Sequence, residues 1–338
     1  MKKSRVAVAL SGGIDSGIAA SILKEQGLET VGVFMRLNPD FKGAEEKAKG
    51  IAKVLNIPFF VLDLRKEFKE RIIKQFLEEL KKGNTPNPCV FCNEQIKFGL
   101  FFEKAKVFQP DLFATGHYAR IKKEGKEIKL LQARDKTKDQ TYFLWRLNQK
   151  KLSKVLFPLG NLLKEDIKRE AQNKNFPVFP YRESQEICFI PEKSEQFLKK
   201  NLKTKKGKII DEKGRVLGEH QGLWFYTIGQ RKGIGLGGGP YYVIKKNSKS
   251  NVLIVSKDET LLFQKIIELK KVNWLRKVKL PLKVKAKIRY GQKEALAKVY
   301  SKNKKIILEF EKSQRAITPG QSAVFYQQGE LLGGGIII

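Results

Sequence analysis

The residues able to do chemistry fall into one glycine-serine turn and three cysteines. Ser11 to Ser16 reads SGGIDS, directly after the apolar run Val6–Leu10 and before a helical pattern. Glycines at such a turn let backbone N–H groups face a bound anion. The helix N-terminus adds the positive end of its dipole, and two serine hydroxyls can donate hydrogen bonds, so the turn reads as a phosphate cradle. The Walker pattern GxxxxGK[ST] is absent, which disfavours simple phosphoryl transfer of the kinase or GTPase kind. Asp15 supplies a carboxylate that could position magnesium on the phosphates.

Cys89 and Cys92 stand in a C-x-x-C spacing inside NPCVFCN, and Cys188 lies in the apolar run ICFI. Three cysteines are too few for a disulfide scaffold, and the spacing suggests thiol or metal chemistry in a reducing cytoplasm. A structural zinc site of four cysteines is impossible in one such chain. Read alone, Cys188 is a small buried hydrophobe. His117 alone is a hydrogen-bonded residue at a strand end, and no role is assigned to His220.

These groups need elements to hold them. Val6–Leu10 reads as a buried strand, and 17–26 as a helix with Ile18, Ile22 and Leu23 on one face. A strand over 30–37, a helix over 44–55, a strand over 58–64 and a helix over 67–82 continue a βαβαβα order. The turn-rich segment GNTPNPCVFCN at 83–93 interrupts it, before a helical pattern through Ile96, Leu100 and Phe101 and a strand ending in ATGHY. Alternating strands and helices imply an α/β domain with a mostly parallel sheet and a ligand crevice at the strands' carboxyl ends. From Gly207 onward the pattern changes to short strands between turns: GKIIDEKGRVLG, GLWFYTIG, YYVIKK, NVLIVS, LKVKAKIRYG, EALAKVYS and KIILEFE. That rhythm implies small β-rich domains such as barrels. The expected organisation is a catalytic domain over 1–198, a β-rich central domain over 199–262 and a C-terminal β-barrel over 263–338.

The chain has 338 residues and 41% hydrophobic content, enough for packed cores without disulfides. Lys and Arg number 68 against 35 Asp and Glu, a net charge of +33. The excess is spread along the chain, and it implies either a polyanionic partner or a lysine-rich solvated surface. No apolar run approaches the ~20 residues that span a bilayer. Neither a signal peptide nor a membrane anchor is expected, and the cytoplasm is the expected compartment.

Seven blocks together resemble one family. SGGIDS, NPCVFCN, ATGHYAR (Ala114–Arg120), KDQTYFL (Lys138–Leu144), SQEICFI (Ser184–Ile190), GEHQGLWFYTIGQRKGIGLGG (Gly218–Gly238) and TPGQSAVFY (Thr318–Tyr326) occur in the order found in the tRNA-specific 2-thiouridylase (MnmA/TrmU) family. The resemblance covers nearly the whole chain. It implies an ATP pyrophosphatase-type, Rossmann-like domain and ATP-dependent conversion of the wobble uridine of tRNA to 2-thiouridine. ATP adenylates the C2 oxygen of uracil, and a cysteine persulfide then delivers sulfur as AMP departs, so that one difficult displacement becomes two easier ones.

By that resemblance Cys188 carries the persulfide, and Cys92 is the nucleophile that acts on its terminal sulfur or forms a disulfide with Cys188. The backbone at Ala9, Leu10, Ser11, Gly12, Gly13, Ile14, Asp15 and Ser16 holds ATP, with Met35 and Gly116 on the adenine side. Asn87, Pro88 and Cys89 contact the target uracil and His117 lies near it. Lys138, Asp139 and Gln140, with Arg289, Tyr290 and Gln321 from the C-terminal domain, bind tRNA. The partners implied are a tRNA with a wobble uridine and a cysteine desulfurase or sulfur-relay protein, and a monomer is expected by analogy.

The chain departs from the family at two places. The segment between Met35 and Pro58 is short, and Cys89 replaces an Asp that many members have. The second departure opens an alternative in which Cys89, Cys92 and Cys188 hold an iron–sulfur cluster with one iron free for an extra sulfur. Two other functions remain in competition: an ATP pyrophosphatase-type ligase or amidotransferase acting on another substrate, and a non-catalytic tRNA-binding protein.

Overall fold

The computed structural model describes residues 3–38, 42–177, 187–190 and 194–338. Its first strands form a five-stranded sheet: β1 (Arg5–Leu10), β2 (Glu29–Arg36), β3 (Phe59–Asp63), β4 (Leu112–Thr115) and, beyond the hairpin of β5 (Ala119–Glu124) and β6 (Glu127–Gln132), β7 (Val155–Leu156). The order is β3-β2-β1-β4-β7, and every pairing is parallel. Alternation along β1 explains why it is apolar throughout. Val6, Val8 and Leu10 pack among α1 (Ile14–Glu25), α2 (Lys42–Val54) and the helix Lys164–Asn173, whereas Ala7 and Ala9 pack against Phe101, Ala105 and Phe113 on the other face. A strand covered on both faces has no solvent side on which to place polar residues. Strand order reverses direction between β1 and β4, so the loops leaving them, at 11–13 and 116–118, lie side by side at the crevice.

Helical runs over 65–81 and 88–104 follow β3, each with a π-helical stretch, Lys69–Ile73 and Asn93–Leu100. The second run begins inside the segment expected to be turn-rich. Pro88 takes the first helical position and the Asn87 side chain accepts a hydrogen bond from the Cys89 N–H, so NPCVFC starts a helix.

The central strands β8 (Gly207–Ile210), β9 (Val216–His220), β10 (Tyr242–Asn247) and β11 (Val252–Ser256) form a small sheet in the order β10-β11-β8-β9. GLWFYTIG is not one of its strands. Leu223 and Tyr226, three residues apart, both enter the small core, and the intervening residues make a 3₁₀ turn, Leu223–Phe225. A strand would put residues three apart on opposite faces.

Six strands then close a barrel: β12 (Phe263–Trp274), β13 (Leu282–Lys287), β14 (Ala295–Lys302), β15 (Lys305–Arg315), β16 (Ser322–Gln327) and β17 (Glu330–Ile337), with β12 pairing back onto β17. The β5–β6 hairpin, which strand–helix alternation does not foretell, leaves the first sheet and joins the barrel through Leu131↔Glu330 and Leu130↔Leu331. Among the described residues no helix is long and apolar enough to cross a membrane.

Trp145 marks the joint between the two layers. It is 0% exposed, its indole N–H donates to Ser322 Oγ at 3.0 Å, and Asn273 donates to its carbonyl at 2.7 Å. Trp145→Ala should lower stability by about 3–5 kcal/mol through the cavity it leaves. Trp145→Phe should cost about 1–2 kcal/mol, for a smaller void and one lost hydrogen bond. Guanidinium unfolding midpoints check both values, and equal costs would show that burial of the indole does not hold the joint.

Candidate active site

The phosphate cradle forms where β1 ends. Gly12 takes φ of +80°, and a Cβ there would sit 2.2 Å from the Ala44 carbonyl oxygen, so the turn admits only glycine. Gly13 caps α1 without a side-chain hydrogen bond, which leaves the first-turn N–H groups facing the crevice. Ser11 and Ser16 brace the turn. Their hydroxyls lie 3.1 Å apart, Ser16 Oγ accepts from the Ser11 N–H at 3.0 Å, and it donates to the Gly13 carbonyl at 3.0 Å. Ala9, Leu10 and Ile14, expected to hold ATP through their backbone, are buried. Met35 is half-buried and packs against the core beside Leu62.

Gly116 brings β4's exit hard against the cradle. A Cβ on it would lie 2.8 Å from the Asp15 carbonyl carbon and from the Ser16 nitrogen. Tyr118, two residues on, donates its hydroxyl to Asp15 at 2.7 Å. Lys164 Nζ donates to both Asp15 oxygens, at 2.6 and 2.8 Å. Asp15, expected to position magnesium, therefore has both carboxylate oxygens engaged by protein donors. Lys164 is a site residue that the motifs missed. Its signal was available: it opens a helix whose next residues are Glu165 and Asp166, and a cation at that end opposes the helix dipole.

Cys89 and Cys92 lie in the helical run 88–104, with Cys188 near them. Cys92 is buried in the apolar core with Val90, Phe91, Ile96 and Phe98, Cys89 is half-buried and Cys188 is exposed. All three are free cysteines, so the Cys92–Cys188 disulfide implied by the resemblance is not formed in this structure. Burial pushes the Cys92 thiol up to about 12, and nearby Cys188 and Cys89 add to the rise. Surrounding protein pushes Cys188 up to about 11, with Cys89 adding to it, although the residue as a whole reaches solvent. Burial also raises Cys89. Lys97, on the π-helical stretch, opposes the rise at all three thiols. The thiols and one cation thus share a neighbourhood. Among the described residues no three His, Cys, Asp or Glu side chains are grouped to hold a metal ion, so the cluster alternative finds no preformed donor set here.

His117 joins the two halves. Its Nδ1 lies 2.8 Å from Thr115 Oγ1, its ring packs against Phe98 and Phe157, and burial first, then Lys97, hold its pKa well below the usual 6.5. It is a neutral imidazole. Gln140 accepts from the Tyr118 N–H at 3.0 Å and so fixes the same segment.

Several residues expected on the tRNA side have partners within the protein. Asp139 is buried, accepting from the Ala133 N–H at 3.0 Å and from Thr141 Oγ1 at 2.8 Å. Arg289 donates to the Ala316 carbonyl at 2.6 Å and to Thr318 Oγ1 at 3.1 Å. Gln321 donates to the Thr85 carbonyl at 2.7 Å, while the Thr85 N–H donates to Pro319 at 2.8 Å. Tyr290 is exposed, its ring 4.5 Å from that of Phe143, and Lys138 is half-buried. His220 is buried in the central sheet, its Nε2 3.2 Å from the Asn251 carbonyl.

Known proteins match this chain along nearly its whole length. Residues 4–192 match the family described as tRNA methyl transferase HUP domain, 195–257 its PRC-barrel domain, and 264–337 the aminomethyltransferase beta-barrel domain. The chain is 41% identical over 350 residues to a tRNA-specific 2-thiouridylase MnmA 2 of Clostridium botulinum, covering 100% of this chain and 99% of that one. It is 42% identical over 354 residues to the tRNA-specific 2-thiouridylase MnmA of Halothermothrix orenii, covering 98% of each. Among solved structures it is distantly similar to the U34-tRNA thiolase NcsA of Methanococcus maripaludis, at a TM-score of 0.40 and 18% identity over 60% of this chain and 68% of that one. The chain belongs to the tRNA-specific 2-thiouridylase (MnmA/TrmU) family.

Proposed function

We propose that the chain is an ATP-dependent sulfurtransferase that converts the wobble uridine of tRNA to 2-thiouridine. The observation that carries this reading is the segment 115–118. Tyr118 bonds the cradle through Asp15, and His117 shares the Lys97 neighbourhood with the thiols. An activated base held there would lie between the group that activates it and the group that supplies sulfur.

In the first step the uracil C2 oxygen attacks the α-phosphorus of ATP, and the bond to the β-phosphate oxygen breaks with loss of pyrophosphate. The cradle's N–H groups and the α1 N-terminus offset the charge of the departing phosphates. In the second step Cys92 attacks the inner sulfur of a Cys188 persulfide, the terminal sulfur bonds to C2, and AMP leaves with the former C2 oxygen. Cys92 and Cys188 end as a disulfide that a thiol reductant must reopen before the next turnover. A ligase or amidotransferase would have no use for these two thiols, and a tRNA-binding protein would need no cradle.

A cysteine desulfurase or relay protein would charge Cys188, the one of the three cysteines that is exposed. Asn87, Pro88 and Cys89 would meet the uracil, with Tyr290 offering an exposed ring for RNA stacking. Magnesium brought with ATP would find Asp15 as the carboxylate of the cradle. Cys89 favours a second reading of the thiols, the iron–sulfur cluster, and a Cys89→Asp variant separates the two. We take the protein to act as a monomer in the cytoplasm.

The test is anaerobic incubation of the protein, as isolated and after cluster reconstitution, with wobble-uridine tRNA, ATP and a persulfide source, reading thionucleosides and AMP by mass spectrometry. Cys92→Ala and Cys188→Ala should each lower 2-thiouridine by about 10³-fold or more, since each removes a covalent participant. Cys89→Asp should keep activity if thiols alone transfer sulfur and lose it if a cluster is required. AMP without thionucleoside in the parent protein would overturn the thiolation reading.

Thiol protonation gives a second expectation. With Cys188 near 11 and Cys92 near 12, the thiolate fractions at pH 8 imply that iodoacetamide should alkylate Cys188 about 200-fold and Cys92 about 2000-fold more slowly than free cysteine, which ionises near 8.5. Rates should climb as pH rises toward 10, Cys188 leading because it reaches solvent. Reaction of either thiol at the free-cysteine rate at pH 8 would contradict the burial argument.

A further inference from the structure

The cradle 11–16 has several neutral donors, and its one charged side chain, Asp15, is negative. A polyphosphate entering such a turn needs a nearby cation, and the turn has no Walker lysine. We propose that Lys164 is the phosphate-binding cation of this cradle, held on Asp15 until an anion arrives. The assignment rests on the reading of the cradle as the ATP site and adds a ligand to it.

The placement of Lys164 is costly in two ways. It is 3% exposed, and it opens the helix Lys164–Asn173, where the dipole disfavours a cation. A buried ion pair contributes little net stability by itself, so stability is a poor account of a lysine there. The charged and polar groups around it come from each neighbouring element: Asp15 from α1, Tyr118 from the loop after β4, and Asp135, whose carboxylate accepts from the Lys164 N–H at 3.1 Å. Glu165 and Asp166 pair outward with Lys168 and Arg169. Among the described residues, Asp15 is the carboxylate at ion-pair distance from the ammonium.

Exposure of the pair gives the order of events. The Asp15 side chain is 30% exposed and that of Lys164 4%, so the carboxylate lies between the ammonium and solvent. A phosphate replaces it as the partner of Lys164, and Asp15 turns toward the open side of the crevice. Asp15 therefore competes with phosphate for Lys164 when no metal is present.

The experiment titrates the full-length protein and its variants with inorganic pyrophosphate, and separately with ATP, in metal-chelated buffer by calorimetry, with tRNA binding measured alongside as a control for folding. Lys164→Gln should weaken pyrophosphate by about 10- to 100-fold, the loss of one charge-assisted contact. Asp15→Asn should bind it at least as tightly as the parent. The double variant Asp15→Asn with Lys164→Gln removes both charges, so it leaves no lone buried ion if a single variant fails to fold, and it should match Lys164→Gln. The assignment is overturned if the double variant binds pyrophosphate within twofold of the parent, or if Asp15→Asn weakens it as much as Lys164→Gln does. A parent that binds neither pyrophosphate nor ATP overturns the reading of the cradle itself, and the assignment with it.

Discussion

Strands β16 and β17 have apolar contacts on both faces, and much of the molecule follows from that. Ala323, Phe325, Leu332 and Ile337 fill the barrel, whereas Val324, Tyr326, Leu331 and Ile336 face outward into a core that also holds Leu80, Phe91, Cys92, Tyr142 and Trp145. Each large apolar side chain buried in this way contributes about 1.5–3 kcal/mol. Four outward-facing residues and their partners together match the ~5–15 kcal/mol that separates a folded domain from its unfolded chain. Pulling the barrel away would therefore cost as much as unfolding a domain, and it would open the core around Cys92. The barrel is part of the active site's foundation rather than an appended binding module.

That foundation has a route to the helix that carries Cys89 and Cys92. The Thr85 backbone is bracketed by Pro319 and Gln321 of the barrel, and Lys246 of the central sheet lies between Thr85 Oγ1 and the Tyr226 carbonyl, which accepts its hydrogen bond at 3.0 Å. Burial pulls the Lys246 ammonium down to about 8, which shows how closely that contact is enclosed. Two residues beyond Thr85, Asn87 caps the helical turn that carries Cys89 and Cys92. A displacement of the TPGQS turn of the barrel must therefore be felt at the start of the thiol helix. Gln321 and Arg289, expected as RNA contacts, serve the protein's own joints in this state.

Local patterns were readable in the sequence, and distant partnerships were not. The strand–turn–helix around SGGIDS, the parallel strands and the β-rich tail are each encoded within a window of about ten to eighteen residues, and their places are where the periodicity puts them. The β5–β6 hairpin is a different kind of fact. Its strands alternate unremarkably, and its place in the barrel depends on Leu131 meeting Glu330 from the far end of the chain. Lys164 carries a local signal, a cation at a helix start, but the partner that gives it meaning is Asp15, 149 residues away. The family motif marks Asp139 as an RNA contact, but in the structure it accepts hydrogen bonds from Ala133 and Thr141 and is buried. A motif names a residue without saying which way it faces.

The electrostatics of the thiol site impose a last condition on the reaction. On the proposed route a reactive sulfur gains by staying protonated and out of water until the acceptor is bound, and burial has that effect on Cys92. The acceptor itself cannot reverse the effect, because tRNA brings phosphates, and negative charge disfavours a thiolate. His117 cannot supply the missing charge either, since its imidazole is held neutral. Lys97 is the cation acting on all three thiols, and it stands on the π-helical stretch Asn93–Leu100. Ionisation of the Cys92 thiol is therefore opposed by burial first and favoured by Lys97 on that helix. The helix start is tied through Thr85 to the barrel, so the contacts that hold the barrel also bear on the enclosure that keeps the Cys92 thiol protonated.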